Sequence, residues 1–532
     1  MTKWYYYLLW LGAILILLAA LSYYLLQGYT PIIDEYISTN KLPVIRPDYT
    51  DAVIPPNIAP LNFAVKEQSS QYYVKIHSEK GSSIDLFSKT AQIVIPIGQW
   101  KELLNANRGS KLYFDIYTKD KTNRWVRFKT ITNIIASEDI DHYLVYRKIL
   151  PVHSNWRRMG IYQRNLENFD ESPVLDNRFH GGVCLNCHTF YNNRADKMLI
   201  GIRSKKYGSS ALLVEDGAVN KVGTKFTYVS WHPTGRLAAY SVNKVHQFFH
   251  TARSEVRDVI DMDSVLLYYL VDSKTVKTSP NISKKQRLET YPTWSPDGRY
   301  LYFCSAPMLW SDRNKVPPEH YDQVKYDLLR TSYDIKSDKW GELETVLSAQ
   351  DTGLSILEPR ISPDGRWLLF CMCSYGSFPI HHQDSDLYLM DLKGAQDVRL
   401  SSVEAQNGRF EYRRLQINSD QSESWHSWSS NSRWIAFSSR RRNGLFTRSY
   451  LSYVDEAGKA YKPILLPQKD PLFYDSCLKT YSVPELVTQP VKITGEKLAR
   501  VIRSSRKIPA RLPITMATPK VGAAPEPWQE RE

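Results

Sequence analysis

The chain has 532 residues, 42% of them hydrophobic, and a formal net charge of +14 at pH 7. Basic clusters occur at residues 440–442 and 500–511. No nucleic-acid-binding module is visible, so nucleic acid is excluded as the expected partner. The positive charge instead predicts a surface that meets anionic lipid or an acidic protein partner, or a solvated charged face without a partner.

Residues 1–30 are predicted to be a transmembrane anchor. Residues 5–26 carry no charge and consist mostly of Leu, Ile, Ala and aromatic residues, which is long enough to cross a bilayer. Lys3 precedes the apolar run and aromatic residues cluster toward both of its ends, which favours an N-terminus left in the cytoplasm. The prediction is a single-pass protein of the bacterial inner membrane with its bulk in the periplasm. A cleaved signal peptide is the alternative.

Two segments follow the anchor. Residues 31–60 are rich in Pro and Tyr and are predicted to be an extended tether. Residues 61–150 are predicted to form a small β-sandwich, immunoglobulin-like in type, because short alternating runs are separated by turn residues. These runs lie at residues 71–76, 91–95, 111–117 and 125–128.

Residues 151–190 contain the motif Cys184-x-x-Cys187-His188, which predicts covalent attachment of one haem c. The two thiols would form thioethers with the haem vinyl groups, and His188 would be the proximal iron ligand. We expect the segment to wrap the cofactor as loop and short helix. A zinc knuckle and a redox-active disulfide are alternatives, but the sequence has neither a second Cys pair nearby nor a thioredoxin-like βαβ setting.

Residues 191–490 contain one motif four times, at intervals of 63 to 67 residues. Its copies begin at Trp231, Trp294, Ile361 and Trp428, and two of them read Ser-Pro-Asp-Gly-Arg after the first residue. Each copy precedes an apolar strand, and Pro-Asp-Gly is a tight-turn sequence in which Gly accepts a positive φ. A turn that enters an apolar strand at a fixed period is typical of β-propeller blades.

The four copies resemble the blade signature of the TolB-like β-propellers. The resemblance implies a mainly β protein in which five or six blades follow the sandwich and the single transmembrane helix. Residues 196–202 and 211–214 would form a degenerate blade, and residues 472–474 would supply closing strands. Residues 491–532 are basic and then rich in Pro and Ala, so a disordered tail is expected.

The sequence offers several candidates for the second axial ligand of the haem. Met198 is the first choice because it begins the strand after the motif, although a Met on a strand is more often a core residue. His232 and His426 adjoin repeat turns and His180 is close in sequence, so these three are the alternatives. A distal Met or His predicts electron transfer, whereas an open position permits catalysis or ligand sensing.

The function predicted from sequence is that of an extracytoplasmic monohaem cytochrome acting in electron transfer or as a subunit of a redox complex. Membrane and protein redox partners are expected, and an electron carrier is favoured over an enzyme. The alternatives are an assembly protein with a structural haem and a haem-dependent oxidoreductase. Long insertions between the strands of the blades also contain histidines, but a metal site there has only weak support.

Overall fold

The computed structural model describes residues 10–14, 17, 33, 35–150, 159–177, 183–204, 206–250, 257–393 and 410–508. The chain is mainly β and divides into two compact units. Within the described part, no helix is long and apolar enough to span a membrane. Most of the proposed anchor, residues 5–26, lies outside that part, so the anchor stays a prediction.

The first unit comprises Met1–Ala52, Pro60–Ile135 and Pro467–Asp475. In the described residues from 35 onward it contains most of the first ten strands and the helix α1. Their bounds are β1 (Ile37–Ser38), β2 (Ile45–Arg46), β3 (Val53–Ile54, which belongs to the second unit), β4 (Phe63–Val65), β5 (Tyr72–His77), β6 (Ile84–Ser88), β7 (Gln92–Ile93), α1 (Ile97–Ala106), β8 (Lys111–Lys119), β9 (Trp125–Arg127) and β10 (Ile131–Ile135).

These strands form two sheets. Each of the four runs predicted for the sandwich overlaps one of the strands. One sheet has the order β1-β9-β8-β10, with β5 paired to β8 and β6 paired to β5, and the other has the order β2-β4-β7. Helix α1 was not predicted, yet it buries Trp100, Leu103 and Leu104, which lie on one helical face. The supposed tether also contains short strands and buried residues such as Ile45 and Tyr49.

The second unit contains six four-stranded antiparallel sheets. Their strands are β11 (Tyr143–Ile149), β12 (Gly160–Asn165), β13 (Glu171–Asp176), β14 (Cys184–Tyr191), β15 (Arg194–Arg203), β16 (Ser210–Glu215), β17 (Ala218–Val222), β18 (Val229–Trp231), β19 (Leu237–Phe249), β20 (Arg257–Leu270), β21 (Thr275–Lys277), β22 (Arg287–Trp294), β23 (Tyr300–Pro307), β24 (Asp327–Asp334), β25 (Lys339–Leu347), β26 (Ser355–Ile361), β27 (Trp367–Cys373), β28 (Asp386–Asp391), β29 (Tyr412–Arg414), β30 (Glu423–Trp428), β31 (Trp434–Ser439), β32 (Arg448–Tyr453), β33 (Ile464–Leu465) and β34 (Thr480–Val487). The second unit also contains the short helices α2 (Ala349–Thr352) and α4 (Gly495–Arg503), whereas α3 (Phe473–Ser476) lies mostly in the first unit.

The six sheets form the blades of a β-propeller. Five of them use four consecutive strands each, from β14–β17 to β30–β33, and blade one has the order β13-β12-β11-β34. The inner strands contact one another in a closed ring in the order β34, β14, β18, β22, β26 and β30. Blade one therefore joins the two ends of the ring, because its inner strand comes from the C-terminal part of the chain.

Hydrophobic clusters hold neighbouring blades together. One joins Leu199 and Leu213 of blade two to Tyr240 of blade three, and the next joins Leu237 of blade three to Phe303 of blade four. Side chains alternate between the two faces of a strand, so one face of a blade packs against the preceding blade and the other face against the following blade. This explains why a strand in the middle of a blade, such as β27, is apolar and buried on both faces rather than on one.

The repeated motif forms the turn between the first two strands of a blade. In the second copy the Ser295 Oγ donates to Asp297 Oδ1 at 2.5 Å and accepts from the Tyr300 amide at 2.9 Å. Gly298 has a φ of +72°, in the left-handed region that glycine enters without steric cost. The tight turn predicted from Pro-Asp-Gly is thus present, and the Ser and Asp of the motif stabilise it.

The structure differs from the sequence-based boundaries in four places. The described residues 160–177 and 183–191 contain the strands β12, β13 and β14 instead of loop and short helix, and β11 belongs to blade one instead of the sandwich. The closing strand is β34, whereas residues 473–476 are helical. The beginning of the supposed tail forms α4, which buries Leu498 and Ile502 in the core of the first two blades. Residues 509–532 lie outside the described part.

Candidate functional site

The motif Cys184-x-x-Cys187-His188 lies in β14, the inner strand of blade two. All three side chains are buried, with exposed fractions of 3% for Cys184, 8% for Cys187 and 2% for His188. The sequence had placed the motif just ahead of the propeller. It is instead part of the ring of inner strands.

A β-bulge interrupts β14 in the middle of the motif. The pairing with β15 runs from Leu185 opposite Ile202 to His188 opposite Ile200, so Asn186 and Cys187 both oppose Gly201. Bulges at the same register occur in the inner strands of blades four, five and six. Their first residues are Tyr291, Glu358 and Trp425.

The shared position of the bulges corresponds to a fixed spacing in the sequence, which the Cys184-x-x-Cys187-His188 motif made easy to overlook. Each of these bulges begins seven residues before the left-handed residue of the following turn, which is Gly298, Gly365 or Ser432. Asn186 lies at the same distance before Asn193, whose φ is +56°. Counting back from the turn therefore identifies 184–188 as the inner strand of a blade.

The bulge determines which way the motif side chains point. Cys184 opposes Arg203, and Cys187 opposes Gly201, two residues away on the same face of β15. His188 opposes Ile200 and lies on the other face. Both thiols are thus on one face of β14, whereas a regular strand would have separated them.

The imidazole of His188 is neutral. Burial, and then the positive charge of Arg147, lowers its pKa to about 3. Backbone groups of Val145 and Val483 lie near the ring and act to raise the pKa of His188, but neither forms a hydrogen bond of acceptable geometry with it. Among the residues described, neither ring nitrogen of His188 has a hydrogen-bond partner. A neutral imidazole with a free lone pair is the form that binds iron.

Positive charge surrounds the two thiols. Burial raises the pKa of Cys187 to about 11, and Arg147 and Arg203 act in the opposite direction. Arg203 has its own pKa raised, above all through Cys184. Guanidinium groups at this position could pair with carboxylates such as the propionates of a haem.

The donor set fits a covalent haem, since two thiols share one face and a neutral imidazole follows them. Attachment of a haem with His188 as proximal ligand requires both thiols and the imidazole on one side of the segment. The extended backbone does not provide this, because His188 lies on the other face of β14. Residues 184–188 would therefore leave the strand conformation described here when they hold a haem. The preceding residues 178–182, which include His180, lie outside the described part of the chain.

The structure places the remaining ligand candidates in three different environments. Met198 is fully buried in the core of the first two blades, on the same face of the sheet as His188. His232 lies in a repeat turn, where Nδ1 pairs with Thr234 Oγ1 at 2.8 Å and Nε2 with the Gly298 carbonyl at 3.1 Å. Both nitrogens of His232 are thus engaged. His426 belongs to a separate cluster.

That cluster consists of Glu358, Cys371 and His426, and sequence reasoning missed it. The three residues come from β26, β27 and β30, all are buried, and one potential ligand atom from each lies within 4.8 Å of the other two. The Cys371 Sγ is 3.7 Å from Glu358 Oε2 and 3.7 Å from His426 Nδ1. Since His426 lies 55 residues after Cys371, no local spacing could have indicated the cluster.

Burial determines the protonation of this cluster. It raises the pKa of Glu358 to about 7 and raises that of Cys371 well above its ordinary value. Burial, and then the charge of Arg360, lowers the pKa of His426 to about 3. Around neutral pH the thiol of Cys371 and the imidazole of His426 are therefore neutral, whereas the carboxyl group of Glu358 is close to its titration midpoint.

The cluster adjoins a pocket on the propeller axis. Glu358 and His426 line this pocket, which is also lined by residues from the inner strands of blades one, three and four. Tyr228, Tyr291 and Trp425 form an aromatic group in it, with the rings of Tyr228 and Tyr291 4.1 Å apart. The pocket is thus the place where the bulges of successive blades converge.

The chain was compared with known proteins. No protein-family model and no curated protein matches its sequence. Among solved structures it is similar to TolB from Acinetobacter baumannii, with 14% identity and a TM-score of 0.40 over 71% of this chain and 79% of that one.

Two further solved structures are similar at lower scores. A GH74 enzyme of Niastella koreensis has 10% identity and a TM-score of 0.36 over 57% of this chain and 42% of that one. An auxiliary nutrient binding protein from Bacteroides thetaiotaomicron has 11% identity and a TM-score of 0.33 over 79% of this chain and 99% of that one. These similarities carry no inference about substrate or cofactor.

Proposed function

We propose that this chain is a membrane-anchored, extracytoplasmic monohaem c-type cytochrome that transfers electrons to or from a protein partner. The observation that carries the proposal is the Cys184-x-x-Cys187-His188 motif with its buried, neutral His188. Two vicinal thiols followed by a histidine meet the requirements of covalent haem attachment. The TolB-like propeller would be the rigid scaffold around the cofactor.

In this proposal the residues have distinct roles. Cys184 and Cys187 hold the haem through thioethers, and His188 binds the iron on the proximal side. Arg147 and Arg203 supply positive charge beside the attachment site. The bound haem supplies one-electron chemistry. The distal ligand comes from Met198, from His180 or from another donor that the rearranged segment reaches.

The attachment is tested on the full chain, expressed in a bacterium with a haem-ligation system and purified in detergent. We expect haem to stay with the denatured polypeptide, and a pyridine haemochrome of one haem per chain. The Cys184→Ala/Cys187→Ala variant should lose the haem. Cys477→Ala is the matched control, because Cys477 is only partly buried and lies outside the motif. A wild-type preparation without covalent haem would overturn the proposal.

The same preparation separates electron transfer from its alternatives. A six-coordinate iron that is reduced and reoxidised reversibly, and that does not bind carbon monoxide, is expected of an electron carrier. Ready binding of carbon monoxide indicates an open iron and an oxidoreductase instead. A haem that resists reduction by small-molecule donors indicates a structural role. Met198→Leu changes the spectrum only if Met198 is the distal ligand.

The membrane anchor is tested on the same cells. We expect the full chain to stay in the membrane pellet after alkaline extraction. Replacement of residues 1–30 by a cleavable export signal should release the chain into the soluble fraction. Release of the unmodified full chain by alkaline extraction would refute the anchor. That outcome would leave the haem proposal standing.

A further inference from the structure

We propose that Glu358, Cys371 and His426 form a binding site for a divalent transition-metal ion of the zinc type, independent of the haem motif. The first argument is the spacing of the donors. Around a tetrahedral zinc, a sulfur and a nitrogen or oxygen ligand lie about 3.6 Å apart. The two distances from Cys371 Sγ, to Glu358 Oε2 and to His426 Nδ1, are both 3.7 Å. The sulfur pairs thus already have the separation that a bound zinc requires.

The second argument is the orientation of the histidine. His426 Nε2 is 3.1 Å from the carbonyl oxygen of Leu369, which can only accept, so Nε2 carries the proton. The lone pair of the ring is then on Nδ1, which faces Cys371. A backbone carbonyl that fixes the tautomer in this way is the usual support of a metal-binding histidine.

The carboxylate is positioned in a similar way. Glu358 Oε2 accepts the Trp425 amide at 2.6 Å, which fixes the side chain, while Oε1 is buried without a partner in the described structure. Leaving a buried carboxylate oxygen without a partner costs free energy, on the order of 1–3 kcal/mol. A cation between the three residues would remove this cost.

The charges of the site also match a divalent cation. A thiolate and a carboxylate contribute two negative charges and the imidazole none, so a bound dication makes the buried site neutral. Binding forms bonds to sulfur, nitrogen and oxygen and releases the thiol proton of Cys371 to solvent, together with the proton of Glu358 where that group is protonated. The mixture of S, N and O donors favours zinc over magnesium or calcium.

The three protein ligands leave a coordination position open. Glu358 and His426 both line the axial pocket, so an exchangeable ligand could reach the metal from there. Three protein ligands and one open position are typical of zinc sites that bind a small molecule or an anion. The proposal also assigns His426 to this metal, which removes it from the possible distal ligands of a haem.

The test uses the full chain in the Cys184→Ala/Cys187→Ala background, so that haem does not obscure the spectrum. The protein is stripped with a chelator and loaded with Zn²⁺ or Co²⁺. We expect one tightly bound Zn²⁺ per chain by mass spectrometry. We also expect the Co²⁺ form to show thiolate-to-cobalt charge transfer in the near ultraviolet. Zn²⁺ should raise the thermal midpoint, because it binds only the folded chain.

Variants of the three residues decide whether the metal occupies this site. Cys371→Ser should abolish the charge-transfer band, and Cys371→Ser and His426→Gln should each weaken Zn²⁺ binding by more than about a hundredfold. Cys373→Ser is the matched control: Cys373 is buried on the same strand, contacts the Tyr375 carbonyl at 3.3 Å and is outside the cluster. It should bind like the parent chain.

Three outcomes would overturn the proposal. They are a parent chain without stoichiometric Zn²⁺, a cobalt form without the thiolate band, and a Cys371→Ser variant that binds as the parent does. Circular dichroism in the presence of chelator verifies the fold of each variant. Glu358→Gln provides a second measurement if Cys371→Ser fails to fold, since the amide keeps the hydrogen bond from Trp425 and removes the charge.

Discussion

Replacement of His232 separates a role in the turn from a role at a haem iron. His232 occupies the position that Ser295, Ser362 and Ser429 hold in the other three copies of the motif, and its Nδ1 takes the place of the serine hydroxyl. Its Nε2 additionally donates to the Gly298 carbonyl of the next blade, and its ring meets Trp294 edge-on at 4.8 Å.

The expected cost follows from these contacts. Two hydrogen bonds contribute about 1 kcal/mol each, and an edge-to-face ring contact contributes about 1 kcal/mol. His232→Ala should therefore lower the free energy of unfolding by about 3 kcal/mol. His232→Ser restores the hydroxyl of the repeat and should recover about 1 kcal/mol of this loss.

Denaturant unfolding followed by tryptophan fluorescence measures both variants, and the optical spectrum of any attached haem should be the same in both. A His232→Ala variant as stable as the wild type would refute the structural role. A spectrum that changes in both variants while stability does not would identify His232 as an iron ligand instead.

Three further predictions concern other parts of the chain. Burial raises the pKa of Glu485 to about 7, so the folded state loses stability as pH rises from about 4.5 to 7. Over that interval the free energy of unfolding of Glu485→Gln should rise by roughly 2–3 kcal/mol relative to that of the wild type, as measured by unfolding titrations. A difference between variant and wild type that is the same at both pH values would contradict this. Asn133 is buried in the first unit and bonds two backbone groups, so Asn133→Ala should cost about 2–3 kcal/mol by the same measurement, whereas a loss below about 0.5 kcal/mol would be inconsistent with those bonds. Lys221 donates to the carbonyls of Ile502 and Ser504 at the end of α4; Lys221→Met should speed hydrogen exchange in α4 by about ten- to a hundredfold, with the inner strands as internal control, and unchanged exchange would exclude this anchoring role.

The sequence predicted the propeller well where the turn chemistry is local. In each motif copy the interacting groups lie within six residues of one another, so their pattern survives in the sequence and marks the strands on either side. Blade one has no such turn at its inner strand, because β34 pairs with β11 from the opposite end of the chain. A pairing between distant segments leaves no periodic signal, and the boundary near residue 150 was therefore misplaced.

The candidate site divides in the same way. The motif Cys184-x-x-Cys187-His188 is contiguous and therefore visible in the sequence, but its strand conformation was not predicted, because the cysteines suggested a loop that wraps a cofactor. Glu358, Cys371 and His426 depend on the register of three strands in two blades, and only the folded chain brings them together. Helix α4 was missed because its basic composition suggested disorder, whereas Leu498 and Ile502 lie on one face that packs against blade two.

The closure of blade one has a consequence for the order of events during synthesis. The thiols at Cys184 and Cys187 become inaccessible once the ring is complete, and the ring needs β34, which begins 293 residues after Cys187. At typical synthesis rates this separation corresponds to about 15 to 60 s. Any enzyme that modifies the two thiols must act within this interval, or else on a chain in which residues 184–188 or the last strand have left the ring.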